Sequence, residues 1–282
     1  MSATIASLLP KRAERSGRPN PRATLVLAIA VLAIALAWAV VPWLFTAQDP
    51  IAGVALDALQ APSAEHPFGT DATGRDLLAR VIFGAGNSLA GAAIAVLVGL
   101  VVGTAIGVLA GSTGGLVEEA LMRVVDVLLA IPGLLLSLSV IVLLGFGVTN
   151  AAIAVGVTSI AVFARLARSQ VVRVRRSDYV EAAFGSGGSF LAVLRRHVLP
   201  NSLGAVLALA ALQFGSAILQ ISTLGFLGYG APPPTPEWGL LIAESRDYVA
   251  TAWWLTTLPG LVVAAVVLSA NRVAAAVRGG TA

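Results

Sequence analysis

The stretch 181-EAAFGSGGSFLAVLRRHVLP-200 decides how the chain is read, because it is a polar, arginine-flanked island between two long apolar segments. Such a segment belongs in water, beside a membrane. Arg165, Arg168, Arg173, Arg175 and Arg176 precede it, and Arg195 and Arg196 lie within it. The preference of cationic loops for the cytoplasmic face places it inside the cell, where any soluble partner would meet the chain. Locally, Ser177-Asp178 offers an N-cap to a helix running through Tyr179, Val180, Glu181, Ala182 and Ala183. Gly185, Gly187 and Gly188 are expected to break that helix, a second apolar-basic turn follows, and Pro200 permits a new helix start.

Composition agrees with a membrane setting. Apolar residues are 57% of the 282 and charged residues 11%, with a mean hydropathy of +0.90, too apolar for a soluble domain. The net charge of +4 gathers in a few segments between spans and reads as a topology signal, so nucleic acid is not an expected partner. There is no cysteine, which excludes disulfides, thiolate metal sites and cysteine catalysis, and His66 and His197 are too few and too far apart in sequence to argue for a metal centre.

The fold class expected is an all-α membrane protein with six transmembrane helices and both termini cytoplasmic. Residues 1–23 form a basic cytoplasmic arm. Residues 24–45 are 22 mostly apolar positions, roughly 33 Å of helix at ~1.5 Å per residue, enough to cross a bilayer. Residues 46–87 are an acidic extracytoplasmic loop. Residues 88–275 are a core of five further spans, with the cytoplasmic loop at 171–201, and 276–282 a cytoplasmic tail. In the second span, expected at 88–110, Gly99, Gly103, Gly107 and Gly111 recur every four residues; they mark close helix packing or line a path. The third, 120–144, is expected to kink at Ile131-Pro132-Gly133, and Arg123 with Asp126 at i to i+3 reads as an ion pair or a snorkelling anchor. In the fifth, Gln213 and Gln220 lie seven residues apart, near one helical face; they either bond between helices or face a wet substrate path. The sixth span is expected at 251–270. With this topology 15 of the 18 Lys and Arg lie inside, while Asp and Glu divide 6 inside and 8 outside.

The run EAA, Gly187 six residues after Glu181, and Leu199-Pro200 resemble the EAA loop of permease subunits of bacterial ABC importers. His66-Pro67-Phe68-Gly69-Thr70-Asp71 and Gly74-Arg75-Asp76 resemble the signature of the dipeptide, oligopeptide and nickel branch. Ala79 and Gly86 stand where that signature has Ser and Arg. Residues 224–239, LGFLGYGAPPPTPEWG, resemble a second stretch of the same branch, whereas the tail after Asn271 departs from it. The resemblance implies a type I ABC importer permease fold and the second permease of a heterodimeric pair. Its implied partners are a homologous permease, two cytoplasmic ATPase subunits, an extracytoplasmic substrate-binding protein and membrane lipid. It assigns ATPase docking to Glu181, Ala182, Ala183, Gly187, Leu199 and Pro200. Receptor-side candidates are Gly69, Thr70, Asp71, Gly74, Arg75, Asp76, Pro234, Pro236, Trp238 and Gly239, and path-lining candidates are Gln213 and Gln220. Di- or oligopeptide is the first expected cargo and nickel the second.

No catalytic constellation competes with this reading. Lys11 is the only lysine and no GxxxxG run precedes it, so the chain has no P-loop; no GxSxG or HExxH occurs either. No cofactor is expected on this chain, ATP and Mg being left to the implied ATPases. A channel or secondary transporter would be expected to show repeat symmetry or ion-coupling carboxylates within its spans, where only Asp126 stands, near an end.

Overall fold

Glycines seat one long helix against another, and the rest of the bundle is built on that pair. In the computed structural model, which describes residues 21–279, α2 (Leu77–Thr113) and α5 (Val148–Arg175) run parallel and make the most extensive helix contact. A Cβ on Gly99 would lie 2.7 Å from Ser159 Cβ, one on Gly103 would run into the Ile160 carbonyl, and one on Gly107 into the Ala164 carbonyl. Gly111 repeats the contact against Arg168 and Val171, so of the two readings of this stripe the structure shows packing. Gly156 answers from α5, approaching Val98 and the Ala95 carbonyl. With no side chain at the seam the backbones close, and dispersion contacts replace the hydrophobic drive that lipid cannot supply.

Around this pair stand α1 (Pro21–Val40), α3 (Gly115–Ala130), α4 (Gly133–Leu144), α8 (Leu199–Phe226) and α10 (Trp254–Gly279). Five helices are long and apolar enough to cross a membrane, and α3 with α4 makes a sixth if that pair is one span. The break at Pro132 bends α3 and α4 by 98°, because proline cannot donate into the ladder and the residue before it is held extended, Ile131 at ψ 129. No strand occurs among the described residues.

Several boundaries differ from expectation. The helix expected at 88 starts at Leu77, because Asp76 caps it through Ala79 N (2.7 Å) and Leu77, Val81, Ile82 and Ala85 are buried. Residues 77–87, polar enough at Arg80 and Asn87 to read as loop, are therefore its first turns. Pro200 stands in the first turn of α8, as expected, but no loop separates that helix from what precedes it: the chain is helical from Phe190 onward and widens to a π turn at Leu194–Val198, which makes room for the proline ring. Asp126 pairs with Arg165 of α5, not with Arg123, whose partner is Glu119 at 3.7 Å. The arm expected at 1–23 and the tail at 276–282 fall largely or partly outside the described residues.

Candidate functional site

At one end of the bundle the island of residues 178–200 folds as a helix, a glycine turn and a second helix. The first helix, α6 (Asp178–Gly185), closes in a Schellman pattern: Gly188 N donates to the Ala183 carbonyl (3.1 Å) and Gly187 N to that of Phe184 (2.9 Å). Gly187 sits in the left-handed region at φ +84, and a Cβ there would meet nothing within 4 Å. Its role is conformational, while Gly185 still belongs to the helix and Gly188 lies tight against Ala183 and Val193. Ser177 occupies the N-cap position, yet its hydroxyl donates back to the Val174 carbonyl and makes no cap bond. The negative charges of the first turn, Asp178 and Glu181, complement the helix dipole instead.

The loop is fastened by valines. Val171 and Val174 at the end of α5, Val180 on α6, Val193 on α7 (Phe190–Val193) and Val198 form one buried cluster, with Val108 of α2 packed against it. Arg175 adds a cap, donating to the carbonyls of Gly111 (3.0 Å) and Ser112 (2.5 Å) at the end of α2, and Arg168 pairs with Glu118 of α3. The cluster was missed because charge dominates this segment; the recurrence of valine through an otherwise polar run is the signal that could have found it. The opposite face is bare. Tyr179, Phe184, Phe190 and Leu191 are exposed, Leu191 at 70%, and so are Glu181, Ala182, Gly187 and Pro200, while Ala183 and Leu199 are half-buried. A solvent-facing helix pair with exposed aromatic and charged side chains has the chemistry of a docking surface.

The other end of the bundle is tied down internally. Arg80 is fully buried and bridges two chain segments: Nη1 donates to Asp71 Oδ2 (2.8 Å) and Nη2 to Glu244 Oε2 (3.0 Å). Arg75 joins through Nε to Asp71 Oδ2 at 2.6 Å and lies 3.6 Å from Glu244. Burial works against the ionised form of Asp71, yet hydrogen bonds from Arg75 and Thr73 and the Arg75 charge leave its carboxyl below the ordinary value. Beside this group His66 Nδ1 lies 2.9 Å from Asp76 Oδ2. The short helix α9 (Trp238–Glu244) docks by the same logic. Glu237, wholly buried, accepts from Gly239 N (2.8 Å), Leu240 N (2.9 Å) and Ser88 Oγ (3.3 Å). Trp238 Nε1 donates to the Val81 carbonyl at 2.9 Å, and Gly239 lies against Ser222 so closely that no Cβ fits. Burial pushes the Glu237 carboxyl above its ordinary value, against those three hydrogen bonds.

The residues expected to face a receptor differ widely in exposure. Gly69, Thr70, Gly74, Asp76, Pro236, Trp238 and Gly239 are buried, Asp71 and Arg75 half-buried, and Pro234 exposed. The buried members hold the two loops against the helices. Removing the central cation tests this: Arg80→Met strands two carboxylates beside one arginine, and a loss of about 3 kcal/mol is expected. It would be read as a lower unfolding temperature of the detergent-solubilised chain, with Arg80→Lys falling between because it keeps the charge and loses the fork. An unchanged midpoint in Arg80→Met would contradict the clamp.

Gln213 and Gln220 are half-buried on α8, and neither amide hydrogen-bonds to another described residue. Ala79, where the resembled signature has Ser, is fully buried, and Gly86, where it has Arg, faces α1 near the Ala39 carbonyl.

Residues 103–280 match the family described as binding-protein-dependent transport system inner membrane component. The chain is 40% identical to the dipeptide transport system permease protein DppC of Alkalihalophilus pseudofirmus, over 76% of this chain and 71% of that protein. It is 38% identical to the probable D,D-dipeptide transport system permease protein DdpC of Escherichia coli, over 88% and 82%. The glutathione transport system permease protein GsiD of Pectobacterium atrosepticum is 37% identical over 75% and 70%. Among solved structures, the inward-facing MetNI methionine ABC transporter aligns with a TM-score of 0.56 at 21% identity, covering 71% of this chain and 97% of that one, a likeness of fold.

Proposed function

This chain belongs to the family of binding-protein-dependent transport system inner membrane components, and on that premise we propose that it is the transmembrane permease subunit of an ATP-driven importer of di- or oligopeptides. It is a multi-pass inner-membrane protein, and the family places it in transport. The observation that carries the mechanism is the exposed helix-turn-helix of residues 178–193, bare on its outer face and fixed on its inner face to α2 and α5 by the valine cluster. A push on such an element moves the helices behind it as a body. Nucleotide-driven closure of two ATPase subunits would pull the loop, and the helices would rock between two packings that open a central path to one side and then the other. A homologous second permease supplies the other half of the path, and a substrate-binding protein delivers cargo to the face opposite the loop. The peptide class is supported by the names of the relatives above, all of them transporters of dipeptides or glutathione.

The proposed orientation puts residues 178–200 in the cytoplasm. The chain has no native cysteine, so single cysteines at Ser63, Ser189 and Ala250, all exposed, report sidedness cleanly. An impermeant thiol reagent on intact cells is expected to label 63 and 250 and spare 189; the inverse pattern contradicts the topology. Uptake of a labelled dipeptide tests the function: it is expected to vanish on deletion of the chain and return with its re-expression, and uptake indifferent to the chain would overturn the peptide assignment.

A further inference from the structure

Between α5 and α8, at the end where the loop lies, is an open crevice of about 590 Å³, within the roughly 300–1,000 Å³ typical of small-molecule sites. Its mouth is polar, with Gln170 and Arg173 from α5 and Asn201 from α8. Its floor is apolar, formed by Leu166, Leu209 and Leu212. From Asn201 to Leu212 the crevice follows α8 for roughly 16 Å at ~1.5 Å per residue.

The charge at the mouth is uncompensated. Along the last turns of α5, Arg165 is paired with Asp126, Arg168 with Glu118, and Arg175 with two carbonyls that end α2. Arg173 has no carboxylate partner among the described residues; its Nη2 donates to Gln170 Oε1, and no Asp or Glu lines the crevice. That bond holds the guanidinium beside Gln170 and leaves the Gln170 amide N–H groups as further donors. Asn201 Nδ2 is spent on the His197 carbonyl (2.7 Å), which leaves its oxygen as an acceptor.

Resting on the reading of peptides as cargo, we infer that this crevice binds the C-terminal end of the transported peptide, with Arg173 and Gln170 on its carboxylate and the leucine floor under its last side chain. A guanidinium beside an amide donor suits a planar carboxylate, and the acceptor of Asn201 suits the peptide N–H. An inner-leaflet lipid would place a phosphate and an acyl chain in the same way. The continuation of α8 favours the peptide: beyond the crevice lie Gln213, Ser216 and Gln220, half-buried, and the two amides have no hydrogen-bond partner among the described residues. Acyl chains cannot satisfy such groups, whereas a hydrated peptide can.

The test uses the full chain in phosphatidylcholine nanodiscs, with a fluorophore on Ser169→Cys, exposed on α5 and not lining the crevice. L-Alanyl-L-leucine is expected to give a saturable response, and its C-terminal amide one at least tenfold weaker in affinity. Arg173→Gln is expected to weaken the free peptide at least tenfold and erase the difference between the two ligands, while Arg173→Lys retains most of it. Equal responses to peptide and amide in the unsubstituted chain, no response to the peptide, or an Arg173→Gln chain that still discriminates would overturn the inference. So would a phosphatidylglycerol-dependent signal that peptide cannot displace, which would mark a lipid site. Uptake of the same peptide by cells separates the two levels: chain-dependent uptake with failed binding removes this site alone, whereas chain-independent uptake removes the peptide reading itself.

Discussion

Gly107→Leu is expected to leave almost no folded chain in the membrane. The glycine's Cα faces the Ala164 carbonyl, with Ala167 Cβ 2.7 Å and Arg168 N 2.8 Å from where a Cβ would stand, so a leucine has no rotamer that avoids the α5 backbone. Forcing the two helices apart would also break the contacts of Gly103 and Gly111, and the cost is expected to exceed about 3 kcal/mol. That is enough to unfold a marginal membrane domain. The readout is the monodisperse peak of a fluorescent fusion on size-exclusion chromatography, expected to fall at least tenfold. Gly260→Ala on α10, where a Cβ meets nothing within 4 Å, serves as the control and is expected to be neutral. A normal peak for Gly107→Leu would mean that the α2–α5 seam is not the frame of the fold.

That seam could be anticipated from sequence because its cause is local: four glycines at helical spacing can close a helix pair wherever the partner lies. The polar island was legible for a similar reason, since cationic residues and glycine turns carry their signal in the chain itself. What could not be read depends on other segments. Spacing alone offered Arg123 to Asp126, whereas the partner that the fold delivers is Arg165 on α5. Thr70, Asp76 and Trp238 look like surface chemistry until the fold is closed, where Thr70 bonds to Asp57 and Gln60, Asp76 caps α2, and Trp238 ties α9 to Val81 of α2. Pro200 marks the first turn of α8, but the π turn that joins α8 to α7 without a loop has no sequence rule as simple as a cap. Ser177 could have bonded forward or backward, and it bonds backward to Val174.

The second large effect concerns the loop and leaves the fold intact. Gly187→Val places a β-branched residue at φ +84, a conformation it resists by about 1–3 kcal/mol, so the turn between α6 and α7 should re-form in another geometry. Glu181→Lys reverses an exposed charge in the first turn of α6 and opposes that helix's dipole. Neither touches the valine cluster or the helix seam. Both variants are therefore expected to insert and accumulate normally, yet to lose more than nine-tenths of peptide uptake. Ser189→Ala, exposed and off the motif, is expected to be nearly silent.

The most direct measurement is what accompanies the chain when it is purified in mild detergent from its own membranes, together with the ATP hydrolysis of that material. The unsubstituted chain is expected to bring down a second permease and ATPase subunits and to hydrolyse ATP, whereas Glu181→Lys and Gly187→Val should recover the permease without the ATPases or without coupled hydrolysis. Full recovery of active ATPase by both variants together with wild-type uptake, or ATP hydrolysis by the isolated chain after its partners are stripped away, would contradict a permease driven through residues 178–200.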